Sequence, residues 1–208
     1  TDQFDSVTGM GVKGKLNGKQ YFLGNTKLLN ENNIIYKKID TQEKLVDEIA
    51  KIISDGNVTG WFQGAMEFGP RALGNRSILA DPRDPNIKDK VNLIKQRELF
   101  RPFAPVVLEE CASRWFDMDF DSPYMQYTVK CLQPDKIPSV VHKDGTSRVQ
   151  TVNREQHRGL WRTINKFYLE TGVPVLLNTS LNIKGQPLLN DEADIKAWEQ
   201  AYNFTITR

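Results

Sequence analysis

Four short apolar runs constrain this chain most: VTGWF at 58–62, SILA at 77–80, APVVL at 104–108 and PVLLN at 174–178. Each reads as a short strand buried in a sheet. Helix-period segments lie between and around them. Leu45, Val46, Ile49, Ile52 and Ile53 fall on one helix face, with Asp40 as cap, Glu43 at the third position as in a capping box, and Gly56 as stop. Arg154 to Glu170 predicts a second strong helix, with Leu160, Trp161, Ile164, Phe167 and Tyr168 inward and Gly172 as stop. Asn86 to Lys95, with Ile87, Val91 and Ile94 inward, and a last helix from an Asp191 cap through Trp198 are the remaining two. MQYTVK and SRVQTV, separated by an HKDG turn, add two strands. Strands and helices that interleave in this way form a layered α/β or α+β domain. Residues 41–208 are expected to make that main domain. Residues 1–40, with KQYFLG and NIIYKKI as strands, form a strand-and-turn lead-in packed on it.

Charge excludes some partners. The 208 residues carry 28 Lys and Arg against 26 Asp and Glu, a net charge of +2, so no global cationic field recruits nucleic acid or a membrane. Any anion site must come from local clustering. No apolar run approaches a membrane span, and there is no signal peptide. Cys111 and Cys131 have no metal-ligand spacing and read as buried thiols of a reduced, cytoplasmic protein. The opening, TDQFDSVTGMGVKGK, reads as the middle of a longer protein.

The local clustering is present. FQGAMEFGPRALGNRSILADPR, residues 62–83, sets three arginines among glycines and a proline, and NLIKQRELFRPFAP, residues 92–105, again places cations beside proline and phenylalanine. Arg71, Arg76, Lys95, Arg101 and Arg148 stand out, because a guanidinium fork matches phosphate or carboxylate oxygens bidentately. Gly69, Pro70 and Gly74 bend the first segment so that backbone N–H groups can face an anion too. Phe68, Leu73, Phe100 and Phe103 suggest arginines held beside a packed apolar wall. NTSLN at 178–182 is either a polar turn closing a strand or a polar clamp on a ligand. His142 and His157 lack partners at metal spacing and read as structural or surface residues. There is no nucleophile elbow, no P-loop lysine motif and no catalytic carboxylate pair. The residues by themselves imply a cationic, partly apolar pocket for a phosphorylated small molecule.

At these residues the chain resembles a known family. GWFQGAMEFGPRALGNRSILADPR is similar to the signature of the O-carbamoyltransferases that decorate antibiotics and nodulation factors. FRPFAP, HKDGTSRVQTV and NTSLNIKGQP resemble its later blocks in the same order, so the likeness runs from about Val58 to about Trp198. Those enzymes have a larger N-terminal part, similar to an actin-like ATPase and holding iron, and a C-terminal part of YrdC/Sua5 type; this chain resembles only the latter. The resemblance implies a YrdC/Sua5-like twisted mixed sheet with flanking helices. It also implies binding of ATP and carbamoyl phosphate, with Mg2+ riding on the phosphates, and formation of carbamoyl-adenylate. The absent N-terminal domain would move the carbamoyl group to an acceptor hydroxyl. Carried over by position, Lys95 and Arg101 grip phosphates as the catalytic pair. Arg71, Arg76 and Arg148 orient carbamoyl phosphate or the adenylate, and Asn178, Ser180 and Asn182 hold the other side. Ala65 stands where the family often has a basic residue, and Leu181 where it often has phenylalanine. The alternative is a basic-cleft RNA- or nucleotide-binding module of YrdC type without catalysis, against which the small net charge counts.

Overall fold

The computed structural model describes residues 3–7, 11–16, 19–24, 42–189, 191–202 and 206–207. The chain divides into two compact units, Thr1–Asp40 and Thr41–Arg208. The first is an antiparallel meander of β1 (Gln3–Val7), β2 (Gly11–Leu16) and β3 (Lys19–Gly24). KQYFLG is thus a strand, whereas NIIYKKI and the Asp40 cap lie outside the described residues.

The second unit is built on a six-stranded mixed sheet. Its strands are β4 (Thr59–Phe62), β5 (Arg76–Ala80), β6 (Ala104–Leu108), β9 (Gln150–Val152), β10 (Val175–Ser180) and β11 (Ile206–Thr207). Their order is β11-β4-β5-β10-β6-β9, antiparallel from β4 to β6 and parallel at the two outer pairings. The four apolar runs of the sequence are four of these strands, and β5 and β6 are buried along their whole length. A two-stranded ribbon of β7 (Thr128–Lys130) and β8 (Thr146–Arg148) stands beside the sheet. The helices are α1 (Gln42–Ser54), α2 (Ile87–Ile94), α3 (Ala112–Trp115), α4 (Arg158–Thr171) and α5 (Glu192–Tyr202). Helices α1 and α4 pack on each other, and α4 also meets β6 and β10. Ile49, Ile53, Leu160, Ile164 and Phe167 are fully buried there, as the 3.6-residue spacing requires.

Four boundaries differ from the sequence expectation, three of them for a stated local reason. SRVQTV is not one strand. Val149 leaves the ladder, its N–H bonding the Tyr127 carbonyl and its own carbonyl accepting from Ser122 Oγ. The chain therefore passes from ribbon to sheet between Arg148 and Gln150. MQYTVK keeps only its last three residues as strand, because Met125 adopts a φ of 55°. Helix α4 starts at Arg158, not Arg154, because the Asn153 side chain accepts the N–H groups of Glu155 and Gln156 in a turn. Helix α5 runs on past Trp198 to Tyr202, while two other helix ends match. Gly172 closes α4 at φ 74°, and Asp191 Oδ1 accepts from the N–H groups of Ala193 and Asp194.

Candidate anion site

The arginine-glycine segment is a loop tied from within. Glu67 Oε1 accepts three backbone N–H groups, from Leu73 at 2.8 Å, Asn75 at 2.7 Å and Arg76 at 3.3 Å. Gln63 N–H donates to the Asn75 carbonyl at 2.8 Å and closes the base. The Gly74 carbonyl receives the Trp61 indole N–H and His157 Nε2. Gly74 sits at φ 119°, and a Cβ there would lie 2.6 Å from Leu160 Cδ2, so no side chain fits. His157 Nδ1 accepts the Leu160 N–H and caps α4, which leaves Nε2 as the protonated nitrogen that donates to Gly74. Burial holds the His157 pKa below its ordinary value. The sequence expected loop N–H groups to face an anion, but those of Leu73, Asn75 and Arg76 are taken by Glu67. The packed apolar wall is partial: Phe103 is buried, whereas Phe68 and Phe100 stand in solvent.

One face of β10 gathers the site. In the antiparallel register Ser180 faces Ser77, which faces Trp61, and Asn178 lies two residues along on the same side. Asn178 is buried. Its Nδ2 donates to the Ala72 carbonyl at 3.1 Å and to Gln150 Oε1 at 2.7 Å, while Gln150 Nε2 donates to the Leu73 carbonyl at 2.9 Å. Two amide side chains thereby hold the loop stem over the strand. Just upstream of Gln150 lies Arg148, whose pKa is lowered by burial and then by repulsion from Arg71. Among the described residues, Arg148 Nε and Asn178 Oδ1 are buried without a hydrogen-bond partner. An orphaned buried donor or acceptor costs about 1–3 kcal/mol.

At the other end of β10, Lys95 is only 3% exposed. Its Nζ donates to the Ser180 carbonyl, and lies 3.2 Å from Ser180 Oγ, 2.9 Å from the Asn182 carbonyl and 3.0 Å from Asn182 Oδ1. Burial, then the Arg97 and Arg101 guanidiniums, lower its pKa to about 7. Gln96 turns the chain after Lys95 at φ 49°. Arg101 is exposed, 3.8 Å from Glu98. The structure thus unites Lys95, Ser180, Asn182 and Arg101 at one end of the strand face, and Asn178, Arg148 and Arg71 at the other. Arg76 is not among them. It alternates to the opposite face of β5, its Nε on the Leu189 carbonyl at 3.0 Å and its Nη1 on those of Gln63, Gly64 and Asn75, with the guanidinium 3.5 Å from the Phe62 ring centroid. Its donors serve the loop base.

Residues 50–206 match the family described as "Carbamoyltransferase C-terminus". The chain belongs to this family. This carbamoyltransferase domain is 46% identical over 164 residues to nodulation protein NolNO of Sinorhizobium fredii, which covers 76% of the chain and 24% of that protein. It is 42% identical over 149 residues to the 3'-hydroxymethylcephem-O-carbamoyltransferase of Amycolatopsis lactamdurans, covering 72% of the chain and 29% of the enzyme. The chain therefore spans about a quarter of the length of these relatives. The crystal structure of T. kodakarensis HypF superposes over 79% of the chain and 20% of its own length, with a TM-score of 0.48 and 18% identity.

Three participants were absent from the sequence reading: Glu67, Gln150 and Arg97. Glu67 is one of only two acids in residues 62–83, the other being Asp81, but its role as internal hydrogen-bond acceptor depends on the loop's closure. Gln150 sat in an alternating strand pattern and carried no mark of its own. Arg97 lies over the Phe103 ring at 4.3 Å and contributes to lowering the Lys95 pKa.

Two outcomes follow from this geometry. Gly74→Ala is expected to cost about 2 kcal/mol or more, through the positive φ and the Leu160 contact, read as a fall in the urea midpoint at unchanged m-value. The Lys95 amine loses its proton near pH 7 in the folded chain but only near 10.5 when unfolded. Between those values the unfolded chain binds more protons, so this group makes stability rise with pH over that window. Lys95→Met should flatten that slope in denaturation curves measured from pH 6 to pH 10.

Proposed function

We propose that this domain binds ATP and carbamoyl phosphate across the β10 face and forms carbamoyl-adenylate, which the rest of a longer O-carbamoyltransferase passes to an acceptor hydroxyl. One observation carries the reading. Arg148 and Arg71 repel each other beside a buried, unpartnered Arg148 Nε and an unpartnered Asn178 Oδ1. Two like charges with an orphaned donor and an orphaned acceptor fit a ligand that brings both anionic oxygens and N–H donors. Carbamoyl phosphate is such a ligand. Its phosphate would meet the guanidiniums and its amide N–H would meet Asn178 Oδ1.

Lys95 and Arg101 would hold the nucleotide phosphates from the other end of the strand. The arrival of an anion would return the proton to the Lys95 amine. Carbamoyl phosphate would give up its phosphate to water, and the resulting carbamate oxygen would attack the α-phosphorus of ATP and displace pyrophosphate. Fixed cations offset the repulsion between two polyanions and stabilise the charge that spreads during displacement. The attacking water would pass its proton to the phosphate that is released, and the carbamate oxygen attacks already deprotonated with pyrophosphate as the leaving group, so neither step calls on a side-chain base. Among the described residues no group of three His, Cys, Asp or Glu could hold a metal ion. The oxygens near Lys95 are neutral, which fits Mg2+ carried on the nucleotide phosphates. The fuller reading retains the YrdC/Sua5-like sheet, a cytoplasmic setting and an actin-like, iron-holding N-terminal partner domain in the same protein. Among the described residues no helix is long and apolar enough to cross a membrane.

Arg101→Ala should weaken ATP binding in calorimetry by about ten- to hundredfold, the loss of a charge-assisted contact worth roughly 1.5–3 kcal/mol. Arg101→Lys should recover only part, since lysine lacks the fork. Unchanged affinities in both variants would contradict the assignment.

A further inference from the structure

Helix α4 and the arginine-glycine loop meet at one imidazole. His157 Nε2 lies 2.8 Å from the Gly74 carbonyl and 2.8 Å from Asn75 Oδ1, so one N–H is shared between two oxygens. On the other edge of the ring, Nδ1 accepts the Leu160 N–H at 3.2 Å. Both nitrogens are therefore committed, one as donor and one as acceptor. Only the neutral ring with its proton on Nε2 satisfies both. The contact is close: a Cβ at Gly74 would lie 3.0 Å from His157 Cδ2.

A second proton would break this junction. It would enter at Nδ1 and aim an N–H at the N–H of Leu160, so α4 would lose the acceptor that caps it and two donors would face each other. The surroundings favour the neutral ring. Burial lowers the His157 pKa, and the Gly74 carbonyl and Glu67 oppose that shift without overcoming it. Glu67 is the charged group on the loop side, and its Oε1 is taken by three backbone N–H groups. Tyr124 shares the cleft that the ring lines. In the turn before α4, Asn153 accepts the His157 N–H through its carbonyl and binds Glu109 through its side chain. Glu155 and Arg158 flank the ring in sequence and stand in solvent.

We propose that His157 is a positioning residue of the anion site: its neutral ring latches the arginine-glycine loop to α4, and protonation opens the latch, frees Arg71 and weakens anion binding in acid. The inference rests on the placement of carbamoyl phosphate at Arg71 and Arg148 and adds the pH window in which that placement holds. His157 touches no ligand. It acts through Gly74 and Asn75, three and four residues beyond Arg71. The unfolded imidazole titrates near about 6.5 and the folded one lower. Between those values the unfolded chain binds more protons, so the latch's contribution to stability is complete above the window and is lost as pH falls through it.

The test compares the wild-type chain with His157→Gln and His157→Asn, titrated with carbamoyl phosphate from about pH 8 to pH 5. The ligand's own protonation is common to all three and cancels in the ratio of affinities. Gln places an N–H where Nε2 stood, Asn places an acceptor where Nδ1 stood, and neither side chain takes up a proton. Across that range the wild type should lose about two- to tenfold more affinity than either variant, the equivalent of one hydrogen bond. At the alkaline end His157→Gln should bind closer to wild type than His157→Asn, because Gln keeps the contact with Gly74. The chain has two histidines, so the ring resonances are simple to separate. His157 should carry its proton on Nε2 alone, and its titration should move the Gly74 and Asn75 amide resonances. The proposal is overturned if the three affinity profiles run parallel, if the proton sits on Nδ1, or if those amides stay still as the ring titrates. A chain that binds no carbamoyl phosphate at any pH would contradict the proposed function instead. The ring and amide resonances need no ligand and would then decide the latch by themselves.

Discussion

The arrangement of this domain depends on one half-buried acceptor. Glu67 gathers the N–H groups of Leu73, Asn75 and Arg76 on a single oxygen. Hydrogen bonds to a charged acceptor are worth roughly 1.5–3 kcal/mol, about twice the neutral kind. The carboxylate thus does from inside what a ligand phosphate would otherwise do, and fixes the loop before any ligand arrives. Gly74 can then approach α4 closely, its carbonyl can take both Trp61 and His157, and Arg76 can turn away to the loop's base. Without that acceptor the three N–H groups would need water, and Arg71 would have no defined position.

Against this rigid loop the cations are left underpaid. Arg148 is partly buried, repelled by Arg71, and has an Nε without a partner; Lys95 is surrounded by neutral oxygens and has its pKa lowered to about 7. Destabilised cations of this kind bind anions well, since the cost of gathering them is met during folding and not at the moment of binding. Asn178 and Ser180, two residues apart on β10, tie the two cationic ends to the most deeply buried part of the sheet.

Much of this was legible in the sequence, and the limits have physical causes. Apolar runs and helical periodicity located β4, β5, β6, β10, α1 and α2, because burial on a sheet or helix face leaves a periodic trace. Lys95, Ser180 and Asn182 were readable as polar chemistry, and the structure joins them. What the sequence left open depends on long-range hydrogen bonds. The break at Val149 arises from Tyr127 and Ser122, the delayed start of α4 from the Asn153 turn, and the diversion of Arg76 from four backbone carbonyls contributed by two segments. An arginine beside glycines looks the same in a sequence whether its fork faces a ligand or its own backbone. Only the alternation of β5, which sets Arg76 opposite to Ser77, separates the two cases.

The central claim is that carbamoyl phosphate and ATP meet on the Asn178 face of β10 to form an adenylate reversibly. Exchange of labelled pyrophosphate into ATP tests it directly, since label enters only if the adenylate forms and reverts. The account predicts exchange by this chain that requires both Mg2+ and carbamoyl phosphate, and its loss in Asn178→Ala and in Arg148→Ala. Exchange that proceeds without carbamoyl phosphate, or that survives both substitutions, would contradict it.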